Sequence, residues 1–465
     1  MSLYNQTLLN DDSCIAAIAT GMTDAGIGII RVSGKDAVSL VDPFLADIDL
    51  LSSKSHTISY GHFSYNGEVL DEVMVSVFLA PRTYTRENVV EINCHGGMLI
   101  LEEVLNALFT NGIRPAEPGE FTKRAFLNGR IDLSQSEAVM DLIHSRNDFS
   151  RKSSLNHLNG NLSRKINEFR DAILHECAFI ESALDDPEHY ELDGYADELK
   201  KTLAQLLNKM ENMRDNYKEG SVLTHGIDTA IVGRPNVGKS SLLNLLSGED
   251  FAIVTDIPGT TRDVISKSVN FRGLPLNLFD TAGIRETDNV VEKIGVEKSL
   301  SYINKADLIL FLLDSSNDFT NDDMEIYERI ADSDAEVLTI LNKSDLEQII
   351  DVDSLPERLK ESFVSISASN NEGIDDLADA IKKLFFSGKL IDPSESLISN
   401  KRQLFELNNA IDSLKLCDNS IDNGMTEDVF TIDLMDAYAA LSRIVGESVE
   451  DDLVDKIFSE FCMGK

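Results

Sequence analysis

At 465 residues the chain is too long for a single hydrophobic core, and a prior of about 150 residues per domain predicts roughly three. With 42% hydrophobic and 26% charged residues and no uninterrupted apolar run of about 18, the composition fits a soluble globular protein and offers no membrane span. A net charge of −38, from 80 acidic against 42 basic residues, argues against this chain alone gripping a phosphate backbone, so any nucleic acid needs a basic partner.

The first residues, Met1 to Asp12, lack the basic flank and apolar run of a secretory signal, which predicts a cytoplasmic protein. Cys14, Cys94, Cys177, Cys417 and Cys462 are odd in number and widely spaced, which argues against a disulfide framework or a zinc knuckle. The first 130 or so residues read as mixed α/β. Gly26 to Gly34 is a glycine-bounded apolar strand, Val73, Val75, Val77 and Leu79 alternate as on a half-buried strand, and Met98 to Phe109 is helical. From Leu155 through Leu184 the apolar residues fall at threes and fours, the stripe of one long amphipathic helix. Between Glu181 and Lys200 stand eight acidic residues and one basic one, broken by Pro187 and Gly194, which reads as a solvated acidic loop.

Around Gly226 the pattern turns to continuous apolar strands alternating with helices, the signature of a doubly wound, mostly parallel sheet; Leu308 to Leu313 is the plainest strand. After Phe386 helical periodicity returns, with Leu434, Ala437, Leu441 and Ile444 on one stripe. An α/β module inserted into one helical domain explains this order.

Gly233 to Ser240 fits the phosphate-loop pattern, with the apolar strand Ala230 to Val232 before it and the helix Leu242 to Leu246 after it. Glycines let backbone N–H groups approach phosphates, Lys239 neutralises outer phosphate oxygens, and the Ser240 hydroxyl suits magnesium. The predicted contact set here is Asn236, Val237, Gly238, Lys239, Ser240 and Ser241. Asp280-Thr281-Ala282-Gly283 follows the strand Leu276 to Phe279 and puts a carboxylate beside the metal. Asn342-Lys343-Ser344-Asp345 follows Val337 to Leu341, and Asp345 can accept from N1–H and the 2-amino group of guanine together, a pair adenine does not offer. Ser367-Ala368-Ser369 supplies backbone N–H groups for the guanine oxygen. Four such elements in order, each at a strand's end, predict a GTP hydrolase. Ile284 stands where Ras-like proteins carry a water-orienting glutamine, so another group has that task, and neither Arg262 nor Arg285 is assigned to it.

Beyond the nucleotide motifs, Gly28-Ile29-Ile30-Arg31-Val32-Ser33-Gly34, Thr85-Arg86-Glu87-Asn88, His95-Gly96-Gly97, Pro118-Gly119-Glu120-Phe121-Thr122, Arg124-Ala125-Phe126-Leu127-Asn128-Gly129-Arg130, Gly259-Thr260-Thr261-Arg262-Asp263 and the terminal Cys462-Met463-Gly464-Lys465 run nearly end to end. In these the chain resembles the tRNA modification GTPase family MnmE (TrmE). The resemblance implies an α+β tetrahydrofolate-binding and dimerising domain over residues 1–128, a helical domain over 129–225 and 389–465, and the P-loop GTPase domain over 226–388. It implies GTP, Mg²⁺, K⁺ and a 5-formyl or methylene tetrahydrofolate. It also implies a homodimer whose two GTPase modules close on each other, and a flavoprotein partner of the MnmG (GidA) type carrying FAD in a heterotetramer or larger complex. That complex meets tRNA and builds an aminomethyl or carboxymethylaminomethyl group on C5 of the wobble uridine.

By motif, Asn236, Thr255, Ile257 and Thr260 match potassium ligands, and Thr261 joins Ser240 on magnesium. Asp256, Pro258 and Gly259 complete the switch segment at the nucleotide. Glu292 matches a glutamate that orients the attacking water through a second water. Arg31, Glu87, Arg130 and Lys465 match the folate positions, with Arg130 where the family commonly has lysine and Met463 where it has Ile, Leu or Val. A carboxylate at Glu87 suits a pterin as Asp345 suits guanine. Cys462 is open to two roles, a nucleophile toward the pyrimidine ring or a positional one, and the absence of a nearby His in sequence favours the second. Two other readings stay open, an RNA-binding ribosome-assembly GTPase and a non-enzymatic GTPase switch or scaffold. The first would carry a Gly-x-x-Gly loop amid basic residues, which the acidic C-terminal segment lacks.

Overall fold

The computed structural model describes residues 13–22, 25–145, 148–186, 194–217, 220–222, 226–248, 266–279, 306–386, 398–447, 451–459, 461 and 464. The chain divides into two compact units, one of residues 1–140, 166–174 and 438–465, the other of 141–165 and 175–437.

The first unit is built on β1 (Ile15–Ile18), β2 (Ala25–Ser33), β3 (Thr57–Tyr65), β4 (Glu68–Phe78), β5 (Val89–Gly96) and β6 (Arg114–Pro115), ordered β3-β4-β5-β2-β1-β6. Neighbours are antiparallel except β1 and β6. Period-2 alternation puts Val73, Val75 and Val77 of β4 and Val90, Ile92 and Cys94 of β5 into one core. The short helix α1 (Ala37–Val41) and α2 (Met98–Phe109) fill the core from that side, α2 through Leu101, Val104, Ala107 and Leu108. The helices α3 (Glu120–Leu127) and α4 (Leu133–His144) follow.

The far end of the chain returns to this unit. Val454, Phe458 and Phe461 share a cluster with Leu133 and Phe126. Gly119 has φ +68°, and a Cβ there would lie 2.8 Å from Cβ of Phe461, so only glycine lets the terminal segment approach α3. Gly464 likewise abuts Ile18 and Ala19.

The helical stripe that begins at Leu155 is broken. The expected single helix is two, α5 (Asp148–Leu158) and α6 (Asn161–Asp185), because Gly160 takes φ +79° and ends the first ladder. The acidic stretch also differs from the expected loop, since Glu181 to Asp185 close α6 and α7 (Tyr195–Asp215) opens one residue after Gly194. Asp197 and Glu198 lie in the first turn of α7, where carboxylates complement the helix dipole.

β7 (Ile227–Val232), α8 (Lys239–Ser247), β8 (Ser266–Phe271), β9 (Leu274–Phe279), β10 (Leu308–Asp314), α9 (Asn321–Ile330), β11 (Glu336–Asn342), α10 (Glu357–Lys360), β12 (Phe363–Ser365) and α11 (Ile374–Phe385) form the α/β module. Its sheet runs β12-β11-β10-β7-β9-β8, parallel except for β8 against β9. Every residue of β10 is buried. Leu308, Leu310 and Leu312 enter one core with α8 and α11, and Ile309, Phe311 and Leu313 enter another with α9 and α10. A continuous apolar strand is what a sheet covered on both faces requires. After the module, α12 (Lys401–Asp422), with Leu407, Ile411 and Leu414 buried, lies against α7, and its Lys415 Nζ is 2.6 Å from Glu211. Helices from before and after the module thus adjoin, so the module is an insertion. α13 (Glu427–Val445) and α14 (Asp451–Ser459) complete the chain's described elements.

Candidate functional site

β7 is the switch point of the second sheet, with β9 on one side and β10 on the other. Ligands of open parallel sheets gather at the carboxyl ends of such strands. The loop leaving β7 is shaped by backbone demands. Gly233 has φ +153°, and a Cβ there would come 2.5 Å from the Leu312 carbonyl oxygen. Asn236 (φ 64°) and Gly238 (φ 106°) are left-handed, and a Cβ on Gly238 would enter the side-chain amide of Asn342. Lys239 opens α8, and its Nζ donates to the carbonyls of Gly233 (2.6 Å) and Arg234 (2.7 Å), which holds the ammonium across the loop. Burial holds this ammonium below the usual lysine value. Ser240 and Asn236 are exposed.

The other strand ends are tied to this loop. Asn342, 2% exposed at the end of β11, donates through Nδ2 to the Val237 carbonyl (2.8 Å) and accepts at Oδ1 from the Ala368 N–H (3.1 Å). It acts as a strut between the phosphate loop and the Ser367–Ser369 loop, both ends of its amide being spent on protein. Lys343 (φ 67°) pairs through Nζ with Asp314 Oδ2 at 2.6 Å, at the end of β10. Burial would raise the Asp314 carboxyl, but Lys343 and Ser316 outweigh it and hold it low. Asp345 is exposed and accepts at Oδ1 from Ser367 Oγ (2.5 Å), which also meets Ser369 Oγ at 3.0 Å. The structure therefore brings together Asn236 to Ser241, Asn342, Lys343, Asp345 and Ser367 to Ser369. One tie was not anticipated from sequence. Arg234 Nε contacts buried Asp323 Oδ1 at 2.7 Å, and Asp323 closes the capping box of α9 with Thr320.

Thr255, Asp256, Ile257, Pro258, Gly259, Thr260, Thr261, Asp280, Thr281, Ala282, Gly283 and Glu292 lie outside the described residues, as do Cys462 and Lys465. The remaining cysteines are buried, and burial pushes the thiols of Cys94 and Cys417 up to about 12 and that of Cys177 to about 11. Such thiols are protonated and inert at neutral pH.

The first unit carries two neighbouring cavities, of about 550 and 510 Å³. Arg31 and Arg130 line the smaller, with their guanidinium carbons 5.8 and 4.7 Å from the centre of the Tyr84 ring. Arg31 also pairs with Glu91 at 2.8 Å. Glu87 instead lines the larger cavity, where it accepts from Ser33 Oγ (2.7 Å) and from Arg124 NH1 (3.0 and 3.2 Å). Arg86 borders both.

Behind Glu87 runs a buried charge relay. Arg124 NH2 reaches Glu120 Oε1 at 3.0 Å, and Arg114 NH2 reaches the same oxygen at 2.6 Å. Burial would raise the Glu120 carboxyl, yet Arg114, the Glu117 N–H and Arg124 together hold it below the usual range. Arg114, Glu120 and Arg124 are absent from the sequence-derived site. Glu120 and Arg124, four apart on α3, stand in two successive motifs of the chain, and their i,i+4 spacing was the available signal.

Among the described residues no group of three or more His, Cys, Asp and Glu could hold a metal ion, and no helix is long and apolar enough to cross a membrane. Residues 14–130 match the family model "GTP-binding protein TrmE N-terminus", and residues 133–462 match "MnmE helical domain". The tRNA modification GTPase MnmE of Lachnoclostridium phytofermentans is 48% identical over 455 residues, 97% of this chain and 99% of that protein. Proteins of the same name from Ligilactobacillus salivarius (47%, covering 97% of this chain and 98% of the relative) and Listeria welshimeri (46%, covering 97% and 99%) are similar to it as well.

Proposed function

The chain belongs to the MnmE (TrmE) family of tRNA modification GTPases, and on that premise we propose that it hydrolyses GTP to drive aminomethyl or carboxymethylaminomethyl addition at C5 of the wobble uridine of certain tRNAs, with a flavoprotein of the MnmG type bearing FAD. The observation that carries the nucleotide half is the Asn342 strut, which locks the phosphate loop to the guanine-side loop. Lys239, held over the loop, exchanges its two carbonyl acceptors for phosphate oxygens, and α8 presents its N-terminal N–H groups to the same charge. Asp345 selects guanine, with Ser367 fixing its carboxylate.

The exposed Ser240 hydroxyl and Asn236 side chain are hard-oxygen donors that fit Mg²⁺ and K⁺ respectively. Thr261 would complete the first site, and Thr255, Ile257 and Thr260 the second. Bound there, the cations neutralise charge that develops on the phosphates. Glu292 orients the water. In the N-terminal domain Glu87 recognises a pterin, and Arg31, Arg130 and Lys465 hold the rest of a tetrahydrofolate. The protein works as a cytoplasmic homodimer within the larger complex, with tRNA held mainly by the partner. The domain limits proposed are 1–128, 129–225, 226–388 and 389–465.

Loss of the modified wobble uridine from tRNA of a deletion strain, read by mass spectrometry, is the expected result, and an unchanged nucleoside profile would overturn the assignment. GTP turnover should fall when sodium replaces potassium. Equal rates in the two salts would remove the potassium site.

A further inference from the structure

The smaller cavity of the first unit has a charge opposite to that of the chain. Across the protein carboxylates outnumber cationic side chains by 80 to 42, yet this cleft is lined by Arg31, Arg82, Arg86 and Arg130 against the single carboxylate of Glu91. Of the four, Arg31 is paired with Glu91 and packed on Tyr84, and Arg86 donates through NH1 to the Asn128 carbonyl at 2.8 Å. Arg130 stacks over Tyr84, and Arg82, exposed at the rim, makes no ion pair with any described residue. Arginines gathered against an aromatic wall, with one counter-ion among them, form a receptor for several carboxylates rather than for one.

The proposed pterin-recognising Glu87 opens on the adjoining cavity, and Arg86, its neighbour in sequence, borders both. A ligand with its ring system at Glu87 and its tail turned toward Arg86 reaches the arginine cleft beside it. A single terminal glutamate of a folate is matched by Arg31 and Arg130 and leaves Arg82 without an acceptor. We propose that the cleft receives a chain of γ-linked glutamates, so that the protein selects polyglutamylated over monoglutamylated tetrahydrofolate, with Arg82 as the length-reading residue. This rests on the folate reading above and adds to it the class of the tail.

The test is isothermal titration of the full-length protein with the mono- and triglutamyl forms of 5-formyltetrahydrofolate, for the parent and for Arg82→Gln and Arg82→Lys. The parent should bind the triglutamyl form about five- to tenfold more tightly, as exposed charge-assisted contacts allow. That ratio should shrink with added salt. Arg82→Gln should bring it close to one, and Arg82→Lys should keep part of it; equal thermal unfolding midpoints establish that the variants are folded. Equal affinity of the parent for both lengths would overturn the proposal while leaving the folate site in place. An undiminished ratio in Arg82→Gln would overturn the role of this residue and of the cleft. Failure of both forms to bind would instead remove the folate reading itself. Displacement of the triglutamyl form by a short RNA oligonucleotide, with no effect of tail length, would reassign the cleft to phosphodiesters.

Discussion

At the carboxyl edge of the parallel sheet, the groups proposed for a nucleotide sit on short turns that follow β7, β11 and β12. In the N-terminal unit the candidate groups are the ends of long side chains drawn from Arg31, Glu87, Arg124 and Arg130, which no single turn holds. The first kind of site tolerates almost no added atom, because its shape is set by left-handed residues and by glycines packed on neighbouring strands. The second depends on a network of partly buried charges, in which each member is compensated by its neighbours. A loop of the first kind fails by sterics, and a network of the second kind fails by electrostatics.

The sharpest break of this contrast is Gly238→Ala. The added Cβ meets the Asn342 amide in a φ that alanine avoids, and the expected loss of GTP affinity is at least about 100-fold, equivalent to ~3 kcal/mol, in a titration with a fluorescent GTP analogue. An affinity within a few-fold of the parent would mean that the loop is not shaped by glycine.

On the other side, Glu120→Gln removes the carboxylate shared by Arg114 and Arg124 and should lower unfolding stability by about 3 kcal/mol in urea. The same residue gives a pH test. Its folded pKa lies below the unfolded value of about 4.3, so its contribution is complete above that pH and is lost as pH falls through the folded value. The difference between parent and variant should therefore narrow only in acid.

Asn342→Ala tests whether the turn-built site also relies on one side chain. It strips the Val237 carbonyl and the Ala368 N–H of their partner, for an expected cost of about 2 kcal/mol in thermal unfolding together with weaker guanine-nucleotide binding. The smallest effect belongs to exposed His95 and its buried partner Asp71. The hydrogen bond that His95 Nδ1 donates to Asp71 holds the imidazole above its usual value, so the pair's contribution is full below about pH 6.5 and fades as pH rises through the folded value. In an NMR titration Asp71→Asn should move the His95 midpoint down, and an unmoved midpoint would dissolve the pair.

The described loops of the candidate nucleotide site were legible in the sequence because each is nearly contiguous: Gly233 to Ser241 and the segments beginning at Asn342 and Ser367 each carry their turn with them. What the spacing did not show was the use of Asn342, read as a nucleotide contact and found bridging two loops. The pairing of Arg234 with Asp323, 89 positions apart, was equally hidden. In the N-terminal unit the resemblance supplied Arg31, Glu87 and Arg130, but it did not show that Glu87 faces a different cavity from the two arginines. The helical stripe from Leu155 to Leu184 was legible as apolar periodicity, which survives a break, whereas the break itself lies in the left-handed φ of Gly160.

Hydrophobic period and turn chemistry are local properties, so the strands at Gly26, Val73, Ala230, Leu276, Leu308 and Val337, the insertion of the GTPase module and the order of its motifs could be read from residue order alone. Which distant groups meet is set by the packing of the whole unit. Arg124 joins Glu87, Arg114 joins Glu120, the terminal Phe461 and Gly464 return to Gly119 and Ile18, and four arginines converge on one cleft in an acidic chain. Those encounters depend on where distant segments pack, and no local pattern in the chain encodes the direction in which a long charged side chain finds its partner.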